Sequence, residues 1–250
     1  MPFHRHFELD IVSALRDQLI SAFDDLDPGY LNEKNIRSVP EVAGVYQLYY
    51  LHSLVYVGKT ESLRKRLQEH HEKISGRRKL KLTDVEFTCL SVRSNIHAVS
   101  ESSLIRHYKS VPGACAWNGN GFGPHDPGRE RETTNKPPDG FDSQFPIRED
   151  WPCKSISEEK WKCGDLLLAM KVHLPFLLRY QVSQKNRLKD GHPDYKDVTI
   201  LVPHASMPAD ALLKLITQHL PGWQATRFPS HFILYKEQRL YKHGITIWPA

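Results

Sequence analysis

Arg66 and His70 stand four residues apart in a stretch whose apolar residues have helical spacing. At about 100° per residue, the two side chains fall about 40° apart, on one edge of the stripe made by Leu63, Leu67 and Ile74. Arginine binds anions through several donors, and histidine titrates near neutral pH. The spacing indicates either one wall of a reactive pocket or a solvated basic helix.

Glu101 lies in a second stretch of helical periodicity, residues 97–109, and falls in the middle of its apolar face. An unpaired buried carboxylate costs several kcal/mol or becomes protonated. A divalent metal would remove this cost, and so would a salt bridge to a neighbouring Arg or Lys. The position therefore predicts a carboxylate that needs a positive partner, and it leaves that partner open.

A β-hairpin is predicted before these helices, because two runs rich in β-branched and aromatic residues, 42–50 and 54–58, are separated by a short break. One register places Tyr46 opposite Tyr56, and a register with a two-residue turn at the end of the break places Tyr46 opposite Lys59. Tyrosines in strands commonly pack in a core. The pattern alone leaves open whether the two hydroxyls share a face.

The order of these residues resembles the GIY-YIG nuclease superfamily. Gly-Val-Tyr at residues 44–46 and Tyr-Val-Gly at residues 56–58 are followed by Arg66 on the next helix, Glu101 on a later helix and Asn118 beyond it. The resemblance covers about 80 residues of the chain. The glycine-rich run that starts at Asn118 is similar to the type II restriction endonuclease branch.

The resemblance implies a site for phosphodiester hydrolysis. Tyr46 would be the general base, with a pKa lowered from about 10 by positive charge from Lys59 or His70. Tyr56 would orient the attacking water or assist Tyr46. His70 would belong to the catalytic set as a source of this positive charge beside Arg66.

The other implied roles concern the phosphate and the metal. Arg66 would hold the scissile phosphate, Glu101 would bind one Mg²⁺ or Mn²⁺ at the leaving group, and Asn118 would hold the site together by hydrogen bonds. Three assignments have rivals, which are Arg64 for Arg66, His71 for His70, and Asn120 for Asn118.

Positive charge lies in patches. The net charge is +5, but residues 59–81 hold 9 Lys and Arg against 3 Asp and Glu, and residues 151–250 hold 14 against 8. Basic charge adds affinity for phosphates without reading a sequence. Double-stranded DNA is therefore the predicted partner. The predicted DNA contacts are Lys59, Arg64, His125, Arg129 and Arg131.

The predicted fold class is α+β, with a small GIY-YIG core (a three-stranded antiparallel sheet flanked by helices), an N-terminal helix and an additional C-terminal α/β unit. We predict a nuclease domain over residues 1–150, which includes a DNA-contacting glycine-rich loop. Residues 151–250 are predicted to serve DNA recognition, dimerisation or partner binding. Within them, residues 157–180 predict one helix interrupted at Pro175, and residues 223–248 predict two strands.

These features favour a divalent-metal-dependent endonuclease that cuts a specific double-stranded sequence, as type II restriction enzymes do. The alternatives are a GIY-YIG effector of phage defence, a structure-specific repair nuclease, or a non-catalytic DNA-binding module. A palindromic target requires two active sites related by a two-fold axis, so we expect a homodimer on DNA. Few cysteines without a CxxC pair, and no apolar run of roughly 20 residues, predict a cytoplasmic protein outside the membrane.

Overall fold

Two compact units divide the chain. The computed structural model describes residues 3–93, 96–119, 121–123, 128–135, 137–183 and 191–249. The first unit contains Met1–Glu72 and Lys81–Gly123, and the second contains Lys73–Leu80 and Pro124–Ala250. The domains predicted at residues 1–150 and 151–250 are functional divisions and stay a prediction.

The first unit is built on one antiparallel sheet. Its strands are β1 (Gly29–Tyr30), β2 (Gly44–Tyr50), β3 (Ser53–Thr60) and β4 (Val85–Ser91), in the order β1-β4-β2-β3. Its helices are α1 (Ile11–Asp24), α2 (Glu33–Ser38), α3 (Leu63–Ser75, which ends in the second unit) and α4 (Glu101–Tyr108). The three predicted strands are β2, β3 and β4, and the two-residue β1 adds a fourth. A core that includes Phe23, Val45, Val57 and Leu104 joins α1 and α4 to the sheet.

The β2–β3 hairpin turns at Leu51 and His52, whose φ angles of 48° and 64° lie in the left-handed region. Strand β3 carries one extra residue, Val55, which forms a β-bulge and shifts the pairing by one position. As a result, Tyr46 pairs with Gly58. Both predicted registers are wrong, because neither included this turn together with the bulge.

Helix α4 begins at Glu101 rather than at residue 97. The side chain of Ser100 accepts a hydrogen bond from the backbone N–H of Ser103 (3.2 Å) and caps the helix there. The preceding residues Ile96–Ala98 form a single 3-10 turn. Glu101 therefore stands at the first position of the helix, half-buried, and not in the middle of a longer apolar face.

The second unit is a mixed α/β structure. Its helices are α5 (Glu130–Thr133), α6 (Gly140–Gln144), α7 (Cys163–His173) and α8 (Ala209–Gln218). Its strands are β5 (Lys160–Lys162), β6 (Leu177–Tyr180), β7 (Thr199–Leu201), β8 (Gln224–Arg227), β9 (His231–Tyr235) and β10 (Ile245–Pro249). One sheet has the order β10-β8-β9-β6, and β5 pairs with β7 in a second sheet. The predicted α+β class, with a GIY-YIG core and an additional C-terminal α/β unit, is confirmed.

The single helix predicted over residues 157–180 is wrong. Strand β5 pairs with β7, and β6 pairs in parallel with β9, so only α7 is helical in this stretch. Leu174 ends α7 directly before Pro175, which cannot continue a helix. Residues 223–248 contain β8, β9 and most of β10, which are three strands rather than the two that were predicted.

Charged side chains are buried in the second unit. Arg77 and Asp142, whose side chains are 3% and 4% exposed, form a salt bridge of 2.8 Å. Arg131 contacts the same carboxylate, and the buried Glu132 pairs with Arg179. Buried charges are costly unless they are paired, so these pairs fix α5 and α6 in place. In the described part of the chain, no helix is long and apolar enough to cross a membrane.

Candidate active site

Tyr46, Tyr56 and Gly58 share one face of the hairpin. Tyr46 pairs with Gly58, and Tyr56 pairs with Leu48, which lies two residues along β2 and therefore on the same face. The two phenol rings lie with their centroids 6.0 Å apart. A Cβ at position 58 would lie 2.4 Å from Cζ and from the hydroxyl oxygen of Tyr46. Glycine is therefore required at this position to seat the Tyr46 ring.

The hydroxyl of Tyr46 is the meeting point of two side chains from α3. His70 Nε2 lies 2.8 Å from it, and Arg66 Nε donates a hydrogen bond to it at 3.2 Å. A terminal nitrogen of Arg66 also donates to Glu69 at 2.7 Å. Tyr46 is 1% exposed and His70 is 2% exposed. The four-residue spacing on α3 thus brings an arginine and a histidine to one buried oxygen.

The enclosure of Tyr46 decides its protonation. Burial raises the pKa of Tyr46 well above its ordinary value, Tyr56 adds to the rise, and Arg66 offsets only part of it. The expectation that Lys59 or His70 lowers this pKa is wrong for the free protein, because removal of the phenolate from water outweighs the nearby positive charge. The neutral Tyr46 hydroxyl and His70 Nε2 share a hydrogen bond, and the tautomer of the imidazole sets which of the two donates.

Glu101 faces positive charge across the site. Burial raises the pKa of its carboxyl, and Lys59 and then Arg66 oppose that rise. Lys59 Nζ donates to the carbonyl of Val99 at 3.0 Å. Among the residues that the structure describes, no ion pair joins Glu101, and no three His, Cys, Asp or Glu side chains gather into a metal-binding group. Glu101 would therefore bind a metal as a single carboxylate.

Asn118 closes the free edge of β3. Its side-chain oxygen accepts from the N–H of Val57 (3.0 Å), and its side-chain nitrogen donates to the carbonyl of Val57 (2.8 Å). The backbone N–H groups of Cys115 and Trp117 donate to the same strand edge. The carboxamide thus continues a ladder of hydrogen bonds as a strand backbone would, and it holds the strand that carries Tyr56.

Arg64 lies apart from the Tyr46 hydroxyl. Its guanidinium donates to the carbonyl of Val39 and to Glu41, each at 2.7 Å. Arg66 is therefore the arginine of the pair that contacts Tyr46. The rival Asn120 lies outside the described residues, whereas Asn118 occupies the edge of β3.

Arg129 and Arg131, two further predicted DNA contacts, belong to the second unit. The guanidinium of Arg129 lies 4.2 Å from the ring centroid of Tyr235, and Arg131 contacts Asp142. His125 lies outside the described residues. The DNA-binding role of this segment stays a prediction.

Phe122 is part of this centre, although the sequence pattern did not single it out. Its ring is 1% exposed and stacks on His70 with centroids 4.8 Å apart. The local signal was an aromatic residue between two glycines shortly after Asn118. Such a signal also fits an ordinary loop, so periodicity gave no reason to choose it.

Comparison with known families identifies one match. Residues 52–151 match the model of the family described as the Eco29kI GIY-YIG domain. The match begins after Tyr46 and includes Tyr56, Arg66, His70, Glu101 and Asn118. No curated protein matches the chain. The GIY-YIG resemblance, in a restriction endonuclease family, is therefore confirmed.

Proposed function

We propose, on the premise that residues 52–151 are a GIY-YIG domain of the Eco29kI restriction endonuclease family, that this nuclease is a divalent-metal-dependent enzyme that cuts double-stranded DNA at a specific sequence. The domain implies phosphodiester hydrolysis with DNA as the substrate. The metal, the sequence specificity and the residue roles are our proposal. The observation that carries the residue roles is the buried Tyr46 hydroxyl held between His70 and Arg66.

Hydrolysis requires that an attacking water lose a proton. Tyr46 can take that proton only if it gives up its own, because burial raises its pKa. The hydrogen bond of 2.8 Å to His70 Nε2 supplies an acceptor for this second proton. We therefore assign Tyr46 as the relay next to the water and His70 as the base on which the proton ends.

Arg66 supplies positive charge for the phosphoryl oxygens. Its Nε holds Tyr46, while a terminal nitrogen binds Glu69, whose side chain is 46% exposed. A partly exposed ion pair of this kind contributes little stability, so a DNA phosphate can replace the glutamate. The hydroxyl of Tyr56 interacts with both Tyr46 and Arg66, which suits the orientation of water beside the phosphate.

Glu101 fits a Mg²⁺ or Mn²⁺ ion. Its carboxyl is half-buried, burial raises its pKa, and no ion pair satisfies it within the described residues. Mg²⁺ commonly binds through one or two carboxylates and takes its remaining ligands from water and substrate phosphate. When bound, such an ion would stabilise the charge on the leaving oxygen. Removing it should abolish cleavage and leave the fold intact.

Digestion of plasmid DNA with Mg²⁺ tests the proposal. The wild type is compared with Tyr46→Phe, His70→Asn and Glu101→Gln, and His71→Asn serves as the control on the same helix. We expect discrete fragments from the wild type and the control, and a loss of roughly 100-fold or more in each of the other three variants. Mg²⁺ should also raise the melting temperature of the wild type more than that of Glu101→Gln.

Other digestion patterns would contradict the proposal in different ways. Random degradation would argue against sequence specificity and favour a defence effector or a structure-specific repair nuclease. Intact plasmid with Mg²⁺ and with Mn²⁺ would favour a non-catalytic DNA-binding module. Full activity of Glu101→Gln would contradict the proposal that Glu101 binds the metal as a single carboxylate.

We propose that residues 151–250, which lie in the second unit, supply DNA recognition, dimerisation or partner binding. Residues 151–250 carry more basic than acidic side chains. A homodimer on DNA would present two active sites to a palindromic target, and one chain per cognate duplex in sedimentation would contradict it. The four cysteines are free thiols, which supports the proposed cytoplasmic location.

A further inference from the structure

Phe122 packs against two residues of the proposed site. Its ring stacks on the imidazole of His70 with centroids 4.8 Å apart and an interplanar angle of 12°. It also meets the ring of Tyr56 edge to face, with centroids 5.1 Å apart and an angle of 72°. Phe122 has no polar side-chain atom, so it cannot itself exchange a proton. Any effect it has on the reaction must act through the rings that it contacts.

The stacking of Phe122 bears on the orientation of the His70 imidazole. The terminal torsion of a histidine side chain is broad and roughly two-fold, so the staggered rotamer alone does not fix the plane of the ring. The hydrogen bond between His70 Nε2 and the Tyr46 hydroxyl weakens steeply if its angle departs from linear. A flat ring that lies nearly parallel to the imidazole restrains rotation of that plane.

Phe122 is itself anchored to β3. Its ring packs on Trp117 with centroids 4.9 Å apart, and the backbone N–H of Trp117 donates to the carbonyl of Val55. Asn118, one residue further on, is bonded to β3 through both ends of its carboxamide. The ring of Phe122 is thus linked through Trp117 to the edge of β3.

We infer that Phe122 is a positioning residue for His70. It holds the imidazole plane so that Nε2 faces the Tyr46 hydroxyl, and thereby keeps the proton path aligned. This inference rests on the proposed function, in which His70 receives the proton that Tyr46 releases.

A double-mutant cycle tests the inference. The rate of supercoiled plasmid cleavage with Mg²⁺ is measured for the wild type, Phe122→Leu, His70→Asn and the double variant. We expect Phe122→Leu to slow cleavage roughly 10- to 100-fold, as small misplacements of catalytic groups do. In the His70→Asn background the same change should have almost no further effect, because the group that it positions is absent.

Conservative variants separate positioning from packing. Phe122→Tyr keeps the flat ring and should cleave within a few-fold of the wild-type rate, whereas Phe122→Met keeps an apolar side chain without a flat face and should be slow. Melting temperatures and plasmid-binding affinities are measured for every variant. If the Phe122→Leu variant does not fold, the comparison of Phe122→Met with Phe122→Tyr provides the same test.

Three results would overturn the inference. The first is a folded Phe122→Leu or Phe122→Met variant that cleaves at the wild-type rate. The second is an equal loss from Phe122→Leu with and without His70, which would show that the effect does not pass through the imidazole. The third is full activity of His70→Asn, which would overturn the proposed proton path as well, whereas the first two leave that path intact.

Discussion

Tyr46 is a phenol whose oxygen accepts one hydrogen bond from Arg66 Nε and shares a second hydrogen bond with His70 Nε2. Almost no water reaches it, because the ring is 1% exposed. In the resting protein the hydroxyl is therefore neutral. In the proposed reaction, a proton from the attacking water would enter this oxygen as the hydroxyl proton leaves to His70, while Arg66 holds the oxygen in place.

Titration of the tyrosines followed by phenolate absorbance should reveal this state. The pKa of Tyr46 is raised in the folded protein. The difference in phenolate absorbance between the wild type and Tyr46→Phe should therefore show no phenolate forming near pH 10 while the protein stays folded. The sign follows from linkage: the stability that Tyr46 contributes is full below about pH 10 and is lost as the pH rises further. A phenolate in this difference spectrum below pH 10 would contradict the proton relay.

A substitution at Gly58 tests whether the site depends on the close approach of the Tyr46 ring to this backbone position. Gly58→Ala should displace the Tyr46 ring, because the new Cβ would lie 2.4 Å from it, and we expect at least a 10-fold loss of cleavage. Gly164→Ala is the matched control, since no atom lies within 4 Å of a Cβ there, and alanine in α7 should stabilise the fold by about 0.5 kcal/mol. Equal activity of the two variants would show that the ring tolerates displacement.

At the scale of elements, the edge of β3 depends on one side chain. Asn118→Ala would leave the buried N–H and carbonyl of Val57 without partners, which should lower the free energy of unfolding by about 2–4 kcal/mol. Asn118→Asp should also destabilise, because a carboxylate can accept from the N–H but cannot donate to the carbonyl.

Urea unfolding measures both variants. The control is Asn35→Ala, which removes a side-chain hydrogen bond of 2.9 Å to Tyr30 on the surface and should cost about 0.5 kcal/mol or less. A loss for Asn118→Ala no larger than that of the control would show that the edge is held by the backbone bonds alone.

Local periodicity predicted the elements whose residues are close in sequence. Arg66 and His70 lie on one helix, so their common edge followed from helical geometry alone. The register of the hairpin could not be predicted in this way, because it depends on the β-bulge at Val55. At this bulge the strand edge also bonds to Trp117, which is about sixty residues away in the sequence. The prediction of a single helix over residues 157–180 was wrong for the same reason. Strands β5 and β6 form by pairing with strands that come later in the sequence.

The structure brings together residues that the sequence named for the site, whereas the pKa of Tyr46 differs from the expectation, and the catalytic roles stay a prediction. Spacing and family order named His70 and Tyr46, and the structure brings them to 2.8 Å. The direction of the Tyr46 pKa could not be predicted, because it depends on burial by residues from several elements. Phe122 escaped notice for a related reason: its partner His70 is 52 positions away, beyond the reach of any local pattern.

At the scale of the whole molecule, the chain passes between the two units more than once. Lys73–Leu80 belongs to the second unit although residues on both sides belong to the first. Arg77 in this segment is paired with Asp142, which lies 65 residues later. The second unit therefore depends on a segment that precedes most of it in the sequence.

This dependence predicts a large coupling between the two residues. Asp142→Leu should destabilise the protein by about 3–5 kcal/mol, because Arg77 would stay buried without its partner. The double variant with Arg77→Met should lose less than the sum of the single losses. Glu33→Gln, which breaks the exposed pair with Arg37, is the control and should change stability by about 0.5 kcal/mol or less. Additive losses in urea unfolding would show that the buried pair is not coupled.

The occupied edge of β3 has a consequence for how two copies can assemble. Exposed strand edges are templates on which a second chain can add a strand, and proteins that leave them open risk uncontrolled aggregation. Here the backbone of Cys115 and Trp117 and the carboxamide of Asn118 already take that edge. A continuous sheet across two copies cannot form at β3 unless this loop detaches, and its detachment would also release Phe122. Any pairing of two chains that preserves the proposed site must therefore use a surface other than this edge of β3.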